Sequence, residues 1–387
     1  MTTSAGPPAR SREGAKPAWT ALAGILGALA AAVSASSATG TRPDEAELRR
    51  QLERRGVDAA AIVLPHALSP EIERWLEDSV PAGGTAEERL ETLLELLLDR
   101  NELDLEYHQG RTGTAVETFS SRKANCLSFT HLFVGMAREL GLAAYYLKVE
   151  DLQGFEREGD LVVVSGHVTA GFGPPARPMV LEFTIFPATE YRRFHPLSDL
   201  SAVALFYSNR GAELLLDGER ERALEWLETA VRIDEELADA WNNLGVVLRR
   251  VDRLDEAEVA YRRALEEDPE STSALQNLSA LLLQVEGRED EGRRLLALTD
   301  REENRNPFNY LALGDLSIER GRLDDAERYY RRALALAPDS AESRAALGQW
   351  HLASGRVGAA RKWLRRALKS DPDEPRAQRL RRQLTEG

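Results

Sequence analysis

The residues of this chain best suited to chemistry are one cysteine, one histidine and one glutamate. Cys126 is the only cysteine among 387 residues, and an apolar run with helical spacing begins at it. At the start of a helix, the positive end of the helix dipole stabilises a thiolate and lowers the cysteine pKa. A thiolate becomes an effective nucleophile when a histidine exchanges its proton and an acid orients that histidine. The sequence therefore predicts a nucleophile at position 126.

The best-placed base among the six histidines is His167. It lies within LVVVSGHVTAGF, whose β-branched residues predict a strand that would fix the imidazole ring. Glu182 follows fifteen residues later in MVLEFTIF, which predicts the next strand. Because cross-strand neighbours lie close together, this carboxylate can orient the imidazole. We predict Cys126, His167 and Glu182 as the catalytic residues.

Each of these residues also has a purely structural interpretation. Free cysteine is among the most buried residue types, so an inert core thiol is the ordinary outcome for a single cysteine. A histidine or glutamate on an apolar strand is often a satisfied core residue. The N–H of Cys126 can serve as one oxyanion donor, and Tyr107 and His108, which precede the cysteine helix, are candidates for the second. The catalytic interpretation depends on all three residues occurring together with a helix and strands to hold them.

A helix must position the cysteine. Asn125 is suited to cap its first turn, and Gly141 to end it in a left-handed conformation. The following AAYYLKV predicts a strand, EDLQGFEREGD a polar loop, and GPPARP a turn before the glutamate strand. Three acidic helices are predicted upstream, the last with a capping box from Thr85 to Glu88.

This order of elements resembles the transglutaminase-like superfamily. NCLSFTHLFVGMARELGLAAYYLKV resembles the family's cysteine helix and strand, GHVTAGF its histidine strand, and VLEFT the segment that holds its acid. The resemblance covers about residues 85 to 190 and implies an α+β, papain-like core. It implies that Cys126 is the nucleophile, His167 the general base and Glu182 the orienting acid. Glutamate stands where the family has aspartate, and Phe183 where it usually has proline.

From about residue 204 the chain repeats itself. Glycines share one position at intervals of 34 or 35 residues, with Ser279 in the weakest unit: Gly211, Gly245, Gly314 and Gly348. Small residues let paired helices approach closely, and aromatic residues fill the gap between neighbours. This pattern is typical of tetratricopeptide repeats, an all-α solenoid. We predict units near 204–237, 238–271, 272–306, 307–340 and 341–374, closed by a polar capping helix in EPRAQRLRRQLTEG.

Composition excludes several other classes of protein. The net charge of −14 argues against nucleic acid as a partner. No Cys/His cluster has zinc-ligand spacing, so we predict no metal and no cofactor. Residues 18–35 are uncharged and follow a basic start, which is typical of a secretory signal or of an uncleaved membrane anchor. A disordered, Ala-rich leader is the alternative. We expect export to the periplasm or another extracytoplasmic location in a bacterium.

Together these features predict three parts: a leader in residues 1–40, a helical lead-in with a transglutaminase-like domain in 41–198, and repeats in 199–387. We expect a hydrolase or acyltransferase that acts on amide bonds of a protein or peptide through a cysteine thioester. Hydrolysis, as in a cysteine protease or amidase, is favoured because bacterial members of the resembled family are more often similar to peptidases. The repeats would bind a protein or peptide on their concave face. The alternative is a catalytically inactive scaffold for protein–protein interaction.

Overall fold

The computed structural model describes residues 45–98, 102–108, 110–158, 161–175, 178–181, 194–301 and 304–386. Contacts divide the chain into two compact units. The first, here the cysteine unit, comprises Met1–Leu152 and Gly166–Phe206. The second, here the repeat unit, comprises Gln153–Ser165 and Tyr207–Gly387. The limits predicted from composition, 41–198 and 199–387, stay a prediction.

The helices of the cysteine unit follow their sequence signals. Three acidic helices come first, α1 (Glu45–Arg54), α2 (Pro70–Ser79) and α3 (Ala86–Leu98), followed by the short α4 (Ala115–Ser121) and by α5 (Cys126–Glu139). The predicted capping box begins α3: Thr85 N–H donates to Glu88 Oε2 at 2.7 Å, and Glu88 N–H donates to Thr85 Oγ1 at 3.2 Å. Each of α1 to α3 buries aliphatic side chains on one face and leaves its acids toward solvent.

Two sheets accompany these helices. A parallel pair is formed by β1 (Glu106–Tyr107) and β2 (Lys123–Ala124). The larger sheet has the order β5-β4-β3-β6 and contains β3 (Ala144–Glu158), β4 (Leu161–Phe172), β5 (Met179–Leu181) and β6 (Phe194–Leu197). Its outer pairs are antiparallel, with Tyr146 opposite Leu197 and Ala170 opposite Leu181. The predicted histidine strand is confirmed as β4. The glutamate strand is confirmed only as β5, because its remainder from residue 182 lies outside the described residues.

One prediction about these strands was wrong. We predicted a polar loop in EDLQGFEREGD, but the chain remains extended as β3 as far as Glu158. Backbone hydrogen bonds to the neighbouring β4 outweigh the weak strand preference of aspartate, glutamate and glycine. The sequence does contain a signal for this arrangement, because only Gly159-Asp160 separates β3 from β4, and such a dipeptide is typical of a tight hairpin.

The repeat region consists of paired helices, as predicted. After α6 (Asp199–Leu216) the described helices are α7 (Arg220–Ile233), α8 (Ala238–Arg250), α9 (Leu254–Glu267), α10 (Thr272–Leu282), α11 (Glu289–Ala297), α12 (Pro307–Glu319), α13 (Leu323–Leu336), α14 (Ala341–Ala353), α15 (Val357–Ser370) and α16 (Pro375–Glu386). The last is the predicted capping helix. Within the described residues no helix is long and apolar enough to cross a membrane, and the predicted leader lies outside them.

The repeated glycines bring paired helices together. A Cβ atom on Gly245 would lie 2.5 Å from the ring of Tyr261 on the partner helix, closer than side chains allow. In the weakest unit Ser279 takes the glycine position on the first helix, α10, and Gly292 lies opposite it on the second helix, α11. The hydroxyl of Ser279 donates to the carbonyl of Gly292 at 2.7 Å. Close helix approach is therefore kept even where the repeat pattern fails.

Candidate active site around Cys126

Cys126 is the first residue of α5 and the point at which this helix reaches the surface. Its side chain is half-buried, whereas every residue from Leu127 to Ala137 is buried. The first N–H groups of a helix have no intrahelical acceptor, and they present positive charge to a group at that end. The thiol of Cys126 therefore lies, partly exposed, at the positive end of α5.

A hydrogen-bond network fixes the start of this helix. Asn125 Oδ1 accepts from the N–H and from the hydroxyl of Ser128, both at 2.8 Å, which confirms the predicted cap. Asn125 Nδ2 donates to the carbonyl of Gly110 at 3.3 Å and to Thr112 Oγ1 at 3.1 Å. Gly113 N–H donates to Ser128 Oγ at 2.8 Å. The loop 110–113 and the first helical turn are thus held together beside the cysteine.

The segment that contains Tyr107 and His108 lies next to the residues leading into the cysteine. Tyr107 pairs with Ala124 in the β1–β2 register, and His108 N–H donates to the Ala124 carbonyl at 2.9 Å. The backbone N–H of His108 is therefore occupied and does not serve as the second oxyanion donor. A role for either side chain stays a prediction.

His167 lies within β4, an inner strand of the larger sheet, and its side chain is half-buried. The residues that follow it, Val168 to Ala170, are buried, so the strand holds the backbone of His167 firmly. Cys126 and His167 both belong to the cysteine unit. Glu182 lies outside the described residues. The assembly of the three into a catalytic triad stays a prediction.

A buried aromatic cluster that the sequence did not predict packs against α5. His131 is fully buried; its Nδ1 lies 2.9 Å from the hydroxyl of Tyr146, and its ring packs edge-on against Tyr146 and Phe206. Burial holds the pKa of His131 well below its usual range and raises the pKa of Tyr146. Burial likewise lowers the pKa of neighbouring His66 to about 4. Burial thus favours the neutral form of both histidines. The sequence does contain a signal for its burial, because His131 lies among the apolar residues of α5.

The far end of α5 is fixed by an enclosed ion pair. Arg138 donates to both carboxylate oxygens of Asp199, at 3.0 and 2.9 Å, and to the carbonyl of Ala144 at 3.0 Å. The helix is therefore held at its first turn by hydrogen bonds and at its last by charge. Among the described residues, no group of three or more His, Cys, Asp or Glu side chains is placed to hold a metal ion.

Comparison with known families agrees with this order of elements. Residues 74–155 match the family model of the transglutaminase-like superfamily. Residues 238–271 and 317–384 match two models of the tetratricopeptide repeat. The chain carries a transglutaminase-like domain followed by tetratricopeptide repeats. The transglutaminase-like match contains Cys126 and ends before His167.

Individual relatives share only part of this chain. The human protein O-mannosyl-transferase TMTC3 is 32% identical over 138 residues, which are 34% of this chain and 15% of that protein. The photosystem I assembly protein Ycf3 of Synechococcus sp. (strain WH7803) is 30% identical over 104 residues, 26% of this chain and 60% of that one. The chain thus spans less than two thirds of either relative. The crystal structure of TTC0263, a tetratricopeptide protein of Thermus thermophilus, covers 47% of this chain and 97% of its own, with 21% identity and a TM-score of 0.39.

Proposed function

We propose that this protein hydrolyses amide bonds of a protein or peptide through a thioester on Cys126, and that its repeats bind that partner. The observation that carries the proposal is the place of Cys126, half-buried at the start of a buried helix and inside the segment similar to transglutaminases. Such a helix start supplies both the field that favours a thiolate and an N–H group for an oxyanion.

The reaction begins when the thiolate of Cys126 attacks the carbonyl carbon, while the N–H of Cys126 donates to the oxyanion. The imidazolium of His167 gives its proton to the leaving nitrogen as the C–N bond breaks, which leaves an acyl thioester. Water then attacks the thioester and gives a proton to His167, and the C–S bond breaks. The products are a carboxylic acid and an amine, and the thiolate–imidazolium pair is restored. Glu182 would accept the other imidazole N–H. An amine in place of water would give transamidation.

The rate at which iodoacetamide alkylates Cys126, measured from about pH 4 to about pH 9, tests this proposal. We expect Cys126 to be alkylated quickly near neutral pH, because His167 and the helix start favour the thiolate. His167→Ala should slow the alkylation at this pH. His195→Ala, on the exposed β6, is the matched control and should leave the profile unchanged. Equally slow alkylation of Cys126 in all three proteins would contradict the catalytic proposal.

The tetratricopeptide repeats support a protein-binding role, and we propose the concave side of the array as the site of binding. A cleft of about 550 Å³ lies between the first helices of the last two units and the capping helix. Its wall combines apolar Ile318 and Leu352 with polar Glu319 and Gln349, a mixture suited to a peptide. Leu352→Arg should raise KM for a protein substrate and leave the alkylation of Cys126 unchanged. Equal KM values would remove this cleft from the proposal.

The second candidate is an inactive scaffold in which only the repeats function. One observation favours it: the transglutaminase-like match ends at residue 155, before both other members of the proposed triad. In that case Cys126→Ala would bind partners as the wild type does, and the wild-type thiol would be inert toward iodoacetamide.

We also propose that residues 1–40 direct export, on the strength of their basic start and of the uncharged run 18–35. Expression of the full chain in a bacterium, followed by fractionation and intact-mass measurement, tests this. A shortened chain in the periplasm indicates a cleaved signal, and a full-length chain in the membrane fraction indicates an anchor. Full-length protein in the cytoplasm would contradict the proposal.

A further inference from the structure

The repeat unit contains a row of asparagines that holds a strand of the same chain. Asn209, Asn243 and Asn277 recur every 34 residues, at one position of three successive repeats. Asn243 accepts the N–H of Val164 at 3.0 Å and donates to its carbonyl at 2.9 Å. Asn277 does the same for Val162, at 2.9 and 2.8 Å. One side-chain amide thus makes to each valine both bonds that a neighbouring strand would make.

A fourth asparagine joins these two contacts into a network. Asn242 Nδ2 donates to the carbonyl of Val162 and to Asn243 Oδ1, both at 3.2 Å, and Asn242 Oδ1 accepts from Asn277 Nδ2 at 2.9 Å. Asn242, Asn243 and Asn277 are fully buried. Hydrogen bonds between the amides therefore fix Asn242, Asn243 and Asn277 relative to one another.

The strand that occupies this row has a defined chemistry. Val162 and Val164 present their backbone to the asparagines, because alternate residues of a strand share one edge. The valine side chains at 162, 163 and 164 are at most 3% exposed. Asn209 belongs to the same row and is 8% exposed, and its Oδ1 accepts no hydrogen bond from the part of the chain that the structure describes. The row thus extends beyond the two valines it now holds.

We propose that this asparagine row is a receptor for an extended, β-branched strand, that the chain fills it with its own Val162–Val164, and that a strand of the same kind from a partner protein competes for it. Side-chain amides that pair with a backbone N–H and C=O require an extended backbone in the bound segment. The buried environment of the valines favours small branched side chains at these positions. An internal strand has a high effective concentration, so a competing segment binds weakly until the internal one is released. The proposal rests only on the partner-binding part of the proposed function and does not require Cys126 to be catalytic.

The test uses a fluorescent peptide with the sequence of residues 160–168, DLVVVSGHV, and the full chain. Val162→Pro/Val164→Pro removes both donated N–H groups and should raise the affinity for this peptide by about tenfold or more over the wild type, because the row is vacated. Adding Asn243→Ala/Asn277→Ala to that variant should abolish the gain. A peptide N-methylated at the valines equivalent to 162 and 164 should not bind, whereas methylation at the central valine should be tolerated. Equal affinity for both methylated peptides would overturn the proposal.

Amide hydrogen exchange provides a second readout that needs no destabilised variant. In the wild type, a saturating concentration of the peptide should speed exchange at Val162 and Val164, because the incoming strand takes their acceptors. A peptide that binds without changing exchange at these two amides binds elsewhere, and the proposal would then be wrong. If the peptide does not change exchange at these amides but Cys126 is reactive, the strand-binding proposal is wrong and the enzyme proposal is unaffected. The two proposals can therefore fail independently.

Discussion

The cysteine unit and the repeat unit each bury one arginine against one aspartate, but the two pairs are enclosed to different degrees. In the cysteine unit the side chains of Arg138 and Asp199 are 9% and 13% exposed. In the repeat unit Arg376 is 6% exposed, whereas its partner Asp315 is 41% exposed. Glu342 lies a further 3.7 Å from Arg376. Arg138 is thus neutralised by one enclosed carboxylate, whereas Arg376 has a second acid nearby.

The largest expected effect comes from breaking each pair at its acid. Asp199→Asn leaves Arg138 charged and enclosed, which should cost the cysteine unit about 3 to 5 kcal/mol. Asp315→Asn should cost the repeat unit less, because Glu342 stays close to Arg376 and Asp315 is already partly hydrated. Hydrogen exchange under increasing urea measures the unfolding free energy of each unit separately. Equal losses in both units would contradict the comparison.

A smaller effect separates crowded glycines from open ones within the repeats. Gly245→Ala places a methyl group against the ring of Tyr261 and should destabilise the repeat unit by about 1 to 3 kcal/mol. Gly358, in helix α15, is the matched control, because a Cβ atom there meets nothing within 4 Å. Gly358→Ala should stabilise the unit by up to about 1 kcal/mol, since alanine favours the helix. Urea unfolding of the two variants checks the opposite signs.

The smallest expected effect is a loss of folding stability of the cysteine unit as the pH falls. Burial keeps His131 neutral when folded, with its pKa well below the usual range, whereas the unfolded chain binds a proton below about pH 6.5. Unfolding therefore takes up protons, and the stability of this unit should fall by up to about 1.4 kcal/mol for each pH unit below about 6.5. His66, whose pKa is lowered to about 4, acts in the same direction.

His131→Gln removes the first of these titrations and can keep a hydrogen bond to Tyr146. Its stability should therefore fall less steeply with acid than that of the wild type. His108→Gln, at an exposed position, is the control and should retain the wild-type slope. Unfolding free energies at about pH 7.5, 6.5 and 5.5 give the three slopes. Parallel slopes for all three proteins would show that His131 is not the group responsible.

The repeat unit could be predicted from its sequence more fully than the contacts of the cysteine unit. The same helix contacts recur in successive repeats, so their residues recur in the sequence. The close packing of Gly245 against Tyr261 could therefore be predicted from a position that recurs about every 34 residues. The helix that begins at Cys126 carries its own signals in Asn125 and Gly141. The pairing of Arg138 with Asp199 leaves no such trace, because it occurs once and joins residues 61 apart.

Two other features escaped prediction for physical reasons. The extension of β3 to Glu158 depends on hydrogen bonds from β4, which local preference does not contain. The asparagine row is periodic in the sequence, but Asn243 and Asn277 pair with valines that lie 79 and 115 residues away along the chain. The period shows that the asparagines share one position of the repeat, and only the fold shows which residues pair with them.

The early time course of p-nitrophenolate release from p-nitrophenyl acetate tests most directly whether Cys126 is a nucleophile. We expect a burst of about one equivalent per chain as the thiol of Cys126 is acylated, followed by slower steady turnover as water resolves the thioester. Cys126→Ser should show neither phase, and His167→Ala should slow both. A wild-type protein that shows neither burst nor turnover, or a burst that His167→Ala leaves unchanged, would contradict the claim that the cysteine unit is an acyl-transfer enzyme.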